Sequence, residues 1–233
     1  MISFKEKKYY SMSFVLLGAF SPFMFQPEWF RHNNVLSPDD YESIERSDKS
    51  KRLISSQLSF FETDKIAFHI GEERFQITSK REPFLLAFDA LRLTFENLSS
   101  IPISAYGVNY EFHYDVENAE DMKTIGDIIA PKKYWKELFS NDNYDNSASG
   151  LTGIVFTKKT DSYQLNVKFA VSNKLKRGIM FDFNFHHNCG SDTTVEDVVD
   201  SIHDTYQQYG VIASNVASSL ADSINEEYEN ARN

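Results

Sequence analysis

The chain has 233 residues, a formal net charge of −10, an aromatic share of 15% with 20 Phe and 12 Tyr, and one cysteine. That length supplies a full core in one large or two small units, and the lone Cys189 excludes an intramolecular disulfide and fits a reducing, cytoplasmic setting. The acidic balance argues against a dedicated nucleic-acid binder, which gains affinity by neutralising phosphates, and no run of about 18 apolar residues exists to span a membrane.

Lys5, Lys7 and Lys8 precede the apolar stretch Phe14 to Phe20, the order of a secretory signal, but no small-x-small cleavage site follows. Tyr10 to Phe20 is therefore expected as a central strand, continuously apolar because both faces would be covered. Ser21 to Phe30 carries Pro22 and Pro27, which cannot continue a ladder, and reads as an ordered aromatic loop. Ser37-Pro38-Asp39-Asp40 is a helix start: a hydroxyl cap, proline at the first position, and acids in the first turn. Strands are expected over Leu53–Phe61, Lys65–Ile70 and Arg74–Thr78, the last two joined by a hairpin at Gly71 to Glu73. Pro83 opens a helix through Leu98, followed by a strand over Ile103–Val116 and a helix from Asn118 to Ile129 that stops before Pro131.

A short helix over Lys132–Phe139 then gives way to the polar run Ser140 to Ser149, the expected seam between an N-terminal half (1–140) and a C-terminal half (150–233) of one compact unit. Strands over Gly150–Phe156, Tyr163–Val171 and Arg177–His187 precede a terminal helix with a Thr193/Glu196 capping box. Its apolar stripe, from Val195 through Tyr209 to Leu220, Ile224 and Tyr228, steps by three or four and allows one long helix or a break at Gly210. This terminal segment is also where the acid sits: Ser191 to Asn233 holds nine carboxylates against one Arg.

The most informative pattern is a doubled strand. Gly107 to Asp115 and Gly178 to His186 both alternate an aromatic with a polar or ionisable residue, so each puts rings on one face and polar groups on the other. The fold class that follows is α+β, with antiparallel sheet in two similar halves, each a β-meander followed by a helix, and a long C-terminal helix. On the polar faces Glu111, His113, Asp182 and His186 are residue types that hold a divalent metal or act as acid and base. An ordinary solvated sheet face produces the same alternation, so no cofactor or metal is expected from it. Cys189 beside His187 does not form a catalytic pair, because such partners meet in space rather than in sequence. Basic groups at the turns (Lys51-Arg52, Lys80-Arg81, Lys132-Lys133, Lys158-Lys159, and Lys174 with Lys176-Arg177) would make an anion site if they met on one rim. Phosphate-loop, dinucleotide, G-x-S-x-G and H-E-x-x-H motifs are all lacking.

Gly18-Ala-Phe20-Ser-Pro22, Phe25-Gln-Pro27-Glu-Trp29-Phe30, Pro102-Ile-Ser-Ala-Tyr-Gly107-Val-Asn109 and Pro131-Lys-Lys-Tyr-Trp135 resemble a bacterial group of hypothetical proteins of this length. Its shared residues are structural and imply no activity; small proteins of this sort are often accessory parts of prokaryotic defence systems. The expectation is a non-enzymatic interaction or accessory protein that binds another protein or its own copy. Phe25, Trp29 and Phe30, with Leu220, Ile224 and Tyr228, are the candidate contacts. A metal-dependent hydrolase or nuclease using Glu111, His113, Asp182 and His186 is the rival; a nucleotide or nucleic-acid binder using the basic turns is a third.

Overall fold

The structure is a computed structural model that describes residues 7–47, 51–135 and 152–230. Alternating apolar and polar side chains form nine strands: β1 (Lys7–Gly18), β2 (Arg52–Ile54), β3 (Leu58–Glu62), β4 (Ile66–Gly71), β5 (Arg74–Ser79), β6 (Ile103–Asp115), β7 (Gly153–Lys159), β8 (Gln164–Val171) and β9 (Gly178–Asn188). All pair antiparallel in one sheet of order β2-β3-β4-β5-β1-β6-β9-β8-β7. Among the described residues five α-helices accompany them, α1 (Pro27–His32), α2 (Pro38–Arg46), α3 (Leu85–Glu96), α4 (Ala119–Ile129) and α5 (Val195–Asn230), with a 3-10 turn over Lys132–Trp135.

Two similar halves are visible in this order. In each, a lead strand (β1 or β6) is followed by helical segments and a meander whose last strand (β5 or β9) returns beside the lead, and a helix (α3 or α5) closes the unit. The seam of this topological repeat therefore falls between α3 and β6, not in the polar run after residue 139, which lies outside the described residues. The lead strands pair with each other at the centre of the sheet, Phe14 opposite Val108. The two aromatic ribbons are neighbours rather than equivalents: Gly107 faces His186 and Asp115 faces Gly178, so the stretches pair end to end. Their counterparts in the repeat are β1 and β5.

One sheet face carries the core. Phe14, Phe61, Phe68, Phe75, Phe112, Phe181, Phe183 and Phe185 have no exposed surface, and burying each contributes about 1.5–3 kcal/mol relative to exposure. α3 and α5 pack on the central strands of this face, and α4 packs on α5. The sequence around Ser21–Phe30 is not all loop. Pro27 at the first position, Glu28 in the first turn and Arg31 and His32 in the last build the short helix α1. Its Phe30 packs on Phe61 and Phe68 with centroids 5.3 and 4.6 Å away, and Phe25 lies 5.3 Å from Phe75. Leu53–Phe61 is a hairpin rather than one strand, turned at Ser55, whose hydroxyl accepts the amides of Gln57 and Leu58.

The terminal helix runs unbroken through Gly210 for 36 residues. Its cap is one residue later than the sequence pattern suggested: Thr194 and Asp197 cap each other reciprocally, while the Thr193 hydroxyl accepts the Gly190 amide. Gly210 is there for closeness, since a Cβ would stand 3.2 Å from the Tyr110 ring below it.

Candidate functional site: the open face and edge of the sheet

No helix covers the opposite face among the described residues, and its central part carries a polar set, Ser13, Gln76, Thr78, Asn109, Glu111, Asp182 and Asn184, beside the apolar Val15 and Met180. β1 is buried on both faces from Met12 to Leu16, as expected of a central strand: Met12, Phe14 and Leu16 look into the core, while Ser11, Ser13 and Val15 lie on this face. A row of side chains crosses the second half of the sheet at one register level. Thr157 donates to Asn166 (2.7 Å), Asn166 to Asn184 (3.3 Å), Asn184 to Asn109, and Asn109 to Ser13 (3.2 Å). Each is directly opposite its neighbour in the ladder, the arrangement in which cross-strand pairs interact most strongly.

The next level holds the titratable groups, with Glu111 opposite Asp182 and Asp182 opposite Lys168. Glu111 Oε1 receives both Lys174 Nζ and His113 Nε2 (2.8 Å), and His113 Nδ1 meets Ser172 Oγ at 2.7 Å. Burial works to raise the Glu111 pKa, but the hydrogen bonds from Lys174 and His113 outweigh it and hold the carboxyl below its ordinary value. Asp182 is moved the other way: burial first, then the Glu111 charge, raise it, against a weaker pull from Lys168.

Ser172, His113 and Glu111 have the composition of a nucleophilic triad, but the geometry gives them a structural task. Ser172 Oγ accepts the amides of Lys174 (3.1 Å) and Leu175 (3.0 Å), so its proton points to His113. His113 then donates from Nε2 to Glu111. The His113 ring has no exposed surface and Ser172 is 7% exposed, which leaves no approach for a carbonyl carbon. The relay pins the β8–β9 loop to β6.

Of the four residues proposed as a metal or acid–base site, Glu111, His113 and Asp182 gather together and His186 does not. His113 is level with Met180 and His186 with Gly107, six positions apart along β6, or about 20 Å at ~3.3 Å per residue. Among the described residues no group of three or more His, Cys, Asp or Glu is placed to hold a metal ion. The basic turns do not share a rim either. Arg52 pairs with Glu28 (2.9 Å) and Glu45, Lys80 with Glu62 (2.9 Å), and Lys174 with Glu111, while Lys158 and Lys159 lie on the far edge strand.

The proposed partner contacts are largely internal. Phe25 and Phe30 have no exposed surface and Ile224 has 1%, so the fold itself occupies them. Trp29, Leu220 and Tyr228 are half-buried against the core. The aromatic segment is inside because its rings complete the layer over Phe61, Phe68 and Phe75; composition alone does not separate an interface anchor from a core anchor.

What is exposed instead is β7. Among the described residues it has one neighbour, β8, and apart from Ile154, which packs against the core, its residues are exposed: Val155 is 59% exposed and Phe156 55%. Thr160 N donates to Tyr163 O (2.9 Å) and Val171 N to Thr152 O (3.2 Å), which fixes the ladder phase. Even-numbered residues of β7 thus bond to β8, and the amides and carbonyls of Gly153, Val155, Thr157 and Lys159 point outward. The opposite edge, β2, is only three residues long and bears the doubly paired Arg52.

These features define a two-layer α+β protein, a single antiparallel sheet with helices on one side. No protein-family model matches the chain, and no curated protein matches it in sequence. No helix among the described residues is long and apolar enough to cross a membrane.

Proposed function

We propose that this is a non-enzymatic interaction protein, an accessory subunit of the reducing cytoplasm, that receives an extended acidic segment of another protein as an added strand beside β7. The observation that carries this reading is the outward row on β7, unpaired among the described residues, beneath exposed Val155 and Phe156. Open strand edges are templates for pairing, and proteins that do not use them shorten, charge or cover them. The short, Arg52-bearing β2 is an edge blunted in that way. β7 is long, lacks proline, and gathers its charge at one end in Lys158 and Lys159, with Lys168 beside Val155. That positive edge on a chain of net charge −10 favours an acidic partner over a second copy.

Hydrogen exchange tests it with a peptide alternating valine and glutamate. In the free chain the amides of Val155, Thr157 and Lys159 exchange fast, and they slow on adding the peptide. Val155→Pro, which removes only an outward N–H, keeps the fold and abolishes the effect. Slow exchange at those amides in dilute free protein would refute the reading. Protection that grows with protein concentration and without peptide would make the occupant a second copy and overturn the acidic-partner assignment.

A further inference from the structure

The four central strands, β5, β1, β6 and β9, enclose a polar concavity of ≈ 380 Å³ on the uncovered face, astride the seam of the repeat. Its volume lies within the range of small-molecule sites, about 300–1,000 Å³. The floor is the hydroxyl and amide row containing Ser13 and Asn109, with Thr78 and Gln76 continuing it on β5. The charges balance, Arg74 and Lys174 against Glu111 and Asp182. Lys174 is engaged by Glu111 and Arg74 by Gln76, whereas Asp182 accepts no hydrogen bond among the described residues. A half-buried carboxylate held opposite another carboxylate opposes stability, and residues kept at such a cost concentrate at functional sites. Beside this lining, next to Ser11 along the same face of β1, Tyr9 leaves 48% of its surface in solvent; it stands edge-on to His113, ring centroids 6.0 Å apart, and Lys174 Nζ lies 6.0 Å from its ring centroid.

We propose that this concavity binds a neutral polyhydroxylated ligand, a saccharide unit, with its hydroxyls on Asp182, Ser11 and Asn109 and its apolar ring face on Tyr9. Cancelling charges disfavour an ion of either sign. Sugar hydroxyls both donate and accept, which suits a floor of serine, threonine and amide side chains mixed with one carboxylate that has no hydrogen-bond donor among the described residues. Charge-assisted hydrogen bonds to that carboxylate supply orientation, and the exposed tyrosine supplies an apolar platform with a polar tip.

The full chain, fluorescently labelled, is applied to a printed array of defined mono- and oligosaccharides, and the best ligand is titrated by calorimetry. Retention of at least one saccharide is expected, with affinity falling about tenfold or more in Asp182→Asn, as for loss of a hydrogen bond to a charged group. Tyr9→Ala should fall comparably, and Val155→Pro should bind as the parent does. Asp182→Asn relieves the repulsion from Glu111, so it should unfold at higher denaturant than the parent at neutral pH, which separates lost binding from lost fold. An array with no saccharide retained, or affinity unchanged in Asp182→Asn, overturns the proposal and leaves the edge-strand reading standing.

Discussion

Gly210→Ala sets two effects of similar size against each other. In an open helix the change favours folding by about 0.8–1 kcal/mol, because glycine loses more backbone entropy. In α5 the new methyl would sit 3.2 Å from Cε1, Cζ and Oη of Tyr110, closer than ordinary contact, so the ring must yield by a few tenths of an ångström. It has little room. Tyr110 is 1% exposed, lies between Tyr10, Phe84 and Phe185 with centroids 6.1 to 6.4 Å away, and its hydroxyl donates to the Tyr206 carbonyl of α5. Overpacking a filled site costs about 1–3 kcal/mol, so the net effect is destabilisation by about 1 kcal/mol. Urea unfolding at constant m-value measures it. In a Tyr110→Leu background, where the obstructing ring is gone, the same substitution should become stabilising. If Gly210→Ala stabilises the parent chain, the glycine is not a packing requirement and the account of how α5 approaches β6 is wrong.

The His113–Glu111–Lys174 cluster should appear in the acid limb of stability. The folded-state pKa of Glu111 lies below the ordinary 4.5, so its contribution is complete above that value and is lost as pH falls through the lower folded value. Glu111→Gln should therefore lower stability at neutral pH and flatten the fall on the acid side of the ordinary 4.5, followed by urea midpoints as the pH is lowered through it; an unchanged acid limb would contradict the pairing. Phe30→Ala removes a fully buried ring that packs edge-on against Phe61 and tilted against Phe68 and should cost about 3–5 kcal/mol in calorimetric or denaturant unfolding. A loss under about 1 kcal/mol would return Phe30 to the surface and to the partner-binding role that its composition suggests.

Nearest-neighbour chemistry made much of this protein readable from the chain alone. The Ser37-Pro38 start of α2, the extent of α4 up to Ile129, the strands from β4 to β6 and the inward rings of β6 and β9 all follow from periodicities and caps that act within a few residues. Such signals are also good only to a residue or so, hence Thr194 rather than Thr193 as the cap of α5. Asn109, Glu111, His113, Asp182 and Asn184 were visibly on polar strand faces, but which of them meet depends on register. Register assigned Glu111 to Asp182, sent His186 to the far end of the ladder, and brought Ser172 and Lys174 onto β6 from a loop about sixty positions away. The pairing of β1 with β6, which makes the halves a repeat about the centre of the sheet, has no local signature either, because a strand's own pattern specifies a covered face and not a neighbour. Burial made the same kind of choice for Phe25 and Phe30: a ring seeks an apolar surface, and only the assembled sheet determines that the surface belongs to its own chain.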